Sequence, residues 1–177
     1  MVNPTTFIGG PKDIRHEIQY SMTETNTMAW EMLPVSLQKF VTMWEGTGEN
    51  EQYLWKAMME NALHISTDGS HIPDTTQGAG AGILAATGND KNILRAGAKC
   101  DDESDMSSLT TEHYGMLSGI CAMMIIIFKY GEPKGSTTVT IWTDNAALLQ
   151  RMNKRNKKKL RLKEYSISDY GLYWLLC

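Results

Sequence analysis

Cysteine is scarce in this chain. Its three cysteines, Cys100, Cys121 and Cys177, offer neither a C-x-x-C pair nor a Cys/His zinc spacing. A disulfide scaffold and a zinc-folded module are therefore excluded, and the three read as reduced thiols, with Cys121 filling core space. Long apolar runs are also missing. The longest stretch without charge on an apolar background, residues 116–128, has 13 residues, short of the roughly 20 needed to cross a bilayer. Residues 1–10 lack a basic start leading into an apolar segment, so no secretory signal is read there. The expectation is an intracellular protein, nuclear or cytoplasmic, with no membrane association. The glycine-rich stretch 78–82 has neither G-x-G-x-x-G spacing nor a Gly-Lys-Ser/Thr step, which argues against a dinucleotide or phosphate loop.

What is present suits one globular domain with modest extensions. The 177 residues are 42% apolar and 21% charged, which excludes disorder throughout and allows one core. The net charge of −3 conceals a segregation: seven of the 17 basic residues fall in the ten positions 154–163. A mildly acidic body thus carries one basic strip, suited to phosphates. No aromatic residue interleaves the strip, so base stacking is not suggested; a solvated face or a nuclear-import sequence is the competing reading.

Residues 1–28 show little periodicity and read as a poorly packed lead-in. Leu33, Leu37, Phe40, Val41 and Trp44 recur at helical spacing, predicting a helix that starts at Pro34. A second short helix is predicted over residues 51–62. The texture then changes to strands: 64–68, ending on Asp68, then 78–86 and 91–99, joined as an antiparallel meander with a hairpin turn at Gly88-Asn89-Asp90. An acidic loop, 101–105, leads into a helix over 112–130, buried on most sides, capped by Thr110 or Thr111 with Glu112 in its first turn. The β-branched run 137–144 predicts a strand ending on Asp144, and helices follow over 145–152 and 168–176.

Two strands ending in Thr-Asp thus flank a helix that begins with a glutamate. A right-handed crossover would lay those strands side by side and parallel, bringing Asp68, Asp144 and Glu112 to one sheet edge. Three carboxylates there repel one another, and bound Mg²⁺ is the usual remedy.

The ordered set Ser66-Thr67-Asp68-Gly69-Ser70, the glycine-rich strand, Thr111-Glu112-His113-Tyr114-Gly115 and Trp142-Thr143-Asp144-Asn145-Ala146 resembles the ribonuclease H family, including domains carried by retroelement reverse transcriptases. The resemblance covers about half of the chain. It implies an α/β fold with a mixed sheet, three antiparallel strands plus a parallel fourth, flanked by helices; the family's fifth strand, and the later helix bearing a fourth acidic ligand, are not evident. The implied division is a lead-in and helical segment, 1–62, and a C-terminally incomplete ribonuclease H-like domain, 63–177. Asp68, Glu112 and Asp144 would be the catalytic carboxylates and the ligands of two Mg²⁺ ions, replaceable by Mn²⁺, in hydrolysis of the RNA strand of RNA–DNA hybrids. Gly69 would admit substrate to the backbone, Ser70 and Asn145 would donate to it, and Lys157, Lys158 and Lys159 would bind phosphate. The rest of a retroelement polyprotein is an implied partner.

Three other readings compete. One is a catalytically inactive nucleic-acid-binding remnant of such a domain. A second is the actin-like nucleotide-binding fold, which needs a second phosphate loop and lobe for which the length leaves no room. The third is a metal site using His64, His71 or His113; His71 also fits a proton shuttle near a leaving group.

Neutralising Lys157, Lys158 and Lys159 together is expected to weaken binding to any duplex and to flatten the log–log salt dependence by about 3. An unchanged slope in a salt titration of binding would show that these lysines do not meet phosphate.

Overall fold

The computed structural model describes residues 22–100, 107–133 and 137–150. The basic strip at 154–163, with Lys157, Lys158 and Lys159, and the expected helix at 168–176 lie outside the described residues, as does the acidic loop at 101–105. In chain order the elements are α1 (Glu24–Glu31), α2 (Val35–Gln38), β1 (Met43–Glu45), α3 (Gly48–Met59), β2 (Leu63–His71), β3 (Gly78–Ala86), β4 (Asn89–Lys99), α4 (Ser108–Tyr130) and β5 (Thr140–Trp142). This is a mixed α/β architecture. One sheet, ordered β1-β4-β3-β2-β5, has antiparallel pairings throughout except β2 with β5, which run parallel.

The sheet has five strands where four were expected, and the additional one comes from the lead-in. β1 pairs Trp44 with Ala96 on the free edge of β4. The helix predicted from Pro34 stops after Gln38, and the chain turns through hydrogen bonds from Phe40 N to Leu37 O and Val41 N to Gln38 O. Thr42 N then donates to Gly97 O. The unpaired carbonyls of β4 overrode the local helical spacing. The lead-in also holds α1, capped by Thr23, with Asn26, Ala29 and Trp30 buried. Residues 22–44 thus belong to the same hydrophobic cluster as the sheet and α4.

Strand alternation decides which side chains meet the helices. Leu63 and Ile65 on β2, Leu84 on β3 and Leu94 and Ala96 on β4 face α4 and are essentially inaccessible. Asp68, Ser70, Arg95 and Lys99 fall on the other face and are exposed. α4 is long and apolar enough to cross a membrane, yet 72% of its most apolar stretch is buried in the protein. It serves here as the core helix. Burial pushes the Cys121 thiol up to about 12, so it stays protonated and packs as a small hydrophobe.

Side chains are absent where α4 comes nearest to the sheet. A Cβ on Gly82 would strike the backbone of Gly119, and one on Gly80 would strike Gly115 N and Thr111 O. The far end of α4 is tied by charge instead. Glu51 on α3 is 1% exposed. It takes a hydrogen bond from Asn26 Nδ2 at 2.7 Å, one from Lys129 Nζ at 2.6 Å and one from Tyr130 OH at 3.1 Å. Burial lowers the Lys129 pKa, but the hydrogen bond and charge of Glu51 outweigh it and hold the ammonium above its ordinary value.

Replacing Gly82 with alanine is expected to destabilise the fold by about 3 kcal/mol, at the upper end for overpacking, because the obstructing atoms are backbone and cannot rotate away. Urea unfolding of Gly82→Ala measures this; a cost below about 0.5 kcal/mol would mean that α4 shifts freely over the sheet.

Candidate functional site

The first Thr-Asp step lies on β2, and the second directly follows β5, its parallel neighbour. The register of the two strands pairs His64 with Thr140, Ile65 with Ile141 and Ser66 with Trp142. That register ends at Trp142, one residue before Thr143 and two before Asp144. The strands differ in extent from expectation. β2 runs on past Asp68 to His71 because β3 pairs with it as far as His71 opposite Gly78. β5 is only three residues long, and Asp144 sits in the bend that follows it.

Glu112 approaches the same edge from α4. The helix begins a turn earlier than predicted, because the Ser107 side chain accepts from Thr110 N at 3.1 Å and caps it there. Glu112 consequently stands in the second turn, and no acidic residue occupies the first. What holds it is a pair of hydroxyls. Thr67 Oγ1 donates to Glu112 Oε2 at 2.7 Å, and Thr143 Oγ1 donates to the same oxygen at 3.3 Å. Glu112 is 4% exposed as a residue, and a buried charge of this kind requires such donors. Gly69 makes the approach feasible, since a Cβ there would lie 2.6 Å from Glu112 N and 2.7 Å from Thr111 Oγ1.

The three carboxylates therefore share an edge without sharing a pocket. Alternation turns Thr67 and Gly69 toward α4 and Asp68 away from it. Asp68 and Asp144 are exposed, and neither makes a hydrogen bond or ion pair among the described residues. Among those residues, no three His, Cys, Asp or Glu side chains converge closely enough to hold a metal ion. The donor chemistry still suits a hard divalent cation, with carboxylate oxygens from three elements at one end of the sheet.

Comparison with family models, curated proteins and solved structures gives no match. The site must therefore be read from its own residues.

Asn145, expected to donate to nucleic acid, is tied into the scaffold. Its Oδ1 accepts from Ala147 N and Leu148 N, both at 3.1 Å, and so caps a helix that begins at Ala146. Its backbone N–H donates to Thr143 Oγ1 at 3.1 Å, and its Nδ2 lies 3.5 Å from Ser108 Oγ at the start of α4. Ser70 is exposed on β2, next to Gly69. Among the histidines, His71 ends β2 half-buried, His64 is half-buried beside Thr140, and His113 Nδ1 lies 3.0 Å from Leu109 O. The apolar cavity of about 260 Å³ lined by Met58, Ile65, Ile120, Ile127, Val139 and Ile141 lies away from the carboxylates. It lacks the convergent polar groups of a ligand site and reads as a gap in core packing near β5.

Thr67 and Thr143 are the site residues that sequence reasoning missed. Their signal was present in the Thr-Asp repeat, where threonine was read only as a β-branched strand former.

Removing the Asn145 cap with alanine is expected to cost about 1 kcal/mol of stability, whereas aspartate keeps an acceptor for the cap and should cost only a few tenths. Thermal unfolding of Asn145→Ala and Asn145→Asp compares them; equal losses would show that the amide nitrogen, not the cap, is the structural contact.

Proposed function

We propose that this chain is a ribonuclease H-like, metal-dependent endonuclease that hydrolyses the RNA strand of RNA–DNA hybrids. One observation carries the reading. One Thr-Asp step on β2 and another just past its parallel neighbour β5 meet the same helix, whose buried glutamate accepts from both threonines. The order β4-β3-β2-β5, three antiparallel strands followed by a parallel fourth, supports it. The fifth strand, β1, lies at the opposite edge and comes from the lead-in.

Asp68, Glu112 and Asp144 would hold the Mg²⁺ ions, for which Mn²⁺ would substitute. Bound at that edge, the ions would supply activation of water and stabilisation of the leaving 3′ oxygen. The chain itself supplies a fixed carboxylate in Glu112 and two rotatable ones in Asp68 and Asp144. A closely packed backbone at Gly69 stands beside them. Lys157, Lys158 and Lys159 would neutralise substrate phosphates. A hybrid would be recognised by its 2′-hydroxyls and helix shape, with no sequence preference. This substrate places the activity inside the cell, and the setting we propose is a retroelement polyprotein.

A second reading has an observation of its own. The carboxylates of Asp68, Glu112 and Asp144 form no three-ligand cluster, which favours a remnant that binds hybrids without turning them over.

Cleavage of an end-labelled RNA–DNA hybrid in Mg²⁺ and in Mn²⁺ separates the two. The nuclease reading expects cleavage by the wild type and at least about a hundredfold loss in Asp68→Asn, Glu112→Gln and Asp144→Asn, the scale for removing one preorganised electrostatic contributor. Binding of the hybrid without cleavage would establish the remnant. Cleavage unaffected by any of the three substitutions would place the activity elsewhere.

A further inference from the structure

The hydroxyls on Glu112 have a geometry of their own. One comes from β2 and the other from the residue just past β5, its parallel neighbour, and both donate to one oxygen, Oε2. A threonine hydroxyl has a single proton to donate. That of Thr67 is committed to Glu112 at 2.7 Å. That of Thr143 is aimed the same way, because its oxygen also accepts from Asn145 N at 3.1 Å, which fixes the rotor from the other side. The second carboxylate oxygen of Glu112, Oε1, accepts no hydrogen bond among the described residues. One oxygen is pinned twice and the other is left over.

We propose that Thr67 and Thr143 are positioning residues that pin Oε2 and thereby present Oε1 of Glu112 to the edge where Asp68 and Asp144 stand. The affinity of that edge for a divalent cation then depends on two hydroxyls that never touch the cation. This rests on the reading of the carboxylate edge given above. Shape alone does not account for the arrangement. Valine has nearly the volume of threonine and at least its preference for strands, so the feature that matters is the hydroxyl. A merely structural role, satisfying a buried carboxylate, would lower stability in the valine variants and leave their metal affinity unchanged.

The test is Mn²⁺ titration of the full chain, followed by the electron paramagnetic resonance signal of free Mn²⁺, with a thermal melt of every variant to confirm folding. Thr67→Val is expected to weaken Mn²⁺ binding about 10–100-fold, the range for partners that orient a ligand. Thr67→Ser, which keeps the donor, should stay within about threefold of the wild type. Thr143→Val should lose less than Thr67→Val, since its contact is the longer one. In a Glu112→Gln background, Thr67→Val should remove nothing further, because the side chain it positions is already altered. Equal affinities for wild type and Thr67→Val, in a protein whose binding is weakened by Glu112→Gln, would overturn the positioning role and leave the site standing. Equal losses in both backgrounds would also overturn it. A wild-type chain that takes up no Mn²⁺ would sink the carboxylate site and the positioning role together.

Discussion

The carboxylate edge depends on how closely α4 can lie against the sheet. Glycine supplies the distance: Gly80 and Gly82 alternate onto one face of β3, and Gly115 and Gly119 recur at helical spacing on α4. Where they meet, backbone rests on backbone. Glu112 lies three residues before Gly115, on the same helical face, so the seam that draws α4 inward also turns the glutamate toward β2 and β5. Side chains at the seam would lift the helix and withdraw Glu112 from the hydroxyls of Thr67 and Thr143. The position of the glutamate thus follows from the packing of residues that have no chemistry.

Between the glycines the helix still buries Tyr114, Met116 and Leu117, and the enclosure continues toward its other end. Ile120, Ile125 and Ile126 are fully enclosed there, and the last turn is bound through Lys129 to Glu51 and Asn26. A buried ion pair of this kind adds little net stability over an apolar substitute, but losing one partner leaves an uncompensated charge at a cost of about 3–5 kcal/mol. Its contribution is to register. Lys129, Glu51 and Asn26 come from three helices, and their hydrogen bonds fit only one placement of α1 and α3 against α4. The lead-in is therefore matched to the core through specific polar contacts as well as through β1.

The sheet was legible because its pattern is local. The strand pattern at 64–68, the small-residue run 78–86 and a turn at Gly88, where φ is +78°, suffice to write the meander, though β2 runs on to His71. Asp68, Glu112 and Asp144 could be brought to one edge by topology alone. Other features were not local. Met43-Trp44-Glu45 has too few residues to announce a strand, and it becomes one only because β4 offers an unpaired edge. Asn26 is a polar residue in the buried face of α1, which makes sense only with Glu51 and Lys129 in place. Thr110 or Thr111 is the cap that the sequence suggests, whereas Ser107 closes the helix, and that difference moved Glu112 from the first turn to the second. The threonines of the two Thr-Asp steps were visible, but their hydroxyls acquire a role only once β2 and β5 are parallel and α4 is seated.

A shared edge is not yet a shared cluster, and the difference has an electrostatic origin. Two like charges 4 Å apart repel by about 4 kcal/mol at the effective dielectric of a protein surface. Alternation answers this by sending Thr67 and Asp68 to opposite faces, which keeps Asp68 away from the buried Glu112. Gathering the three requires positive charge to arrive with them, whether as a cation or with a basic segment. The side chains differ in their freedom to respond. Glu112 is enclosed and held by two hydroxyls, while Asp68 and Asp144 are exposed and bound to nothing among the described residues. Any ligand that assembles this edge must therefore do so by turning the aspartates toward a glutamate that stays where the glycine seam and the two threonines hold it.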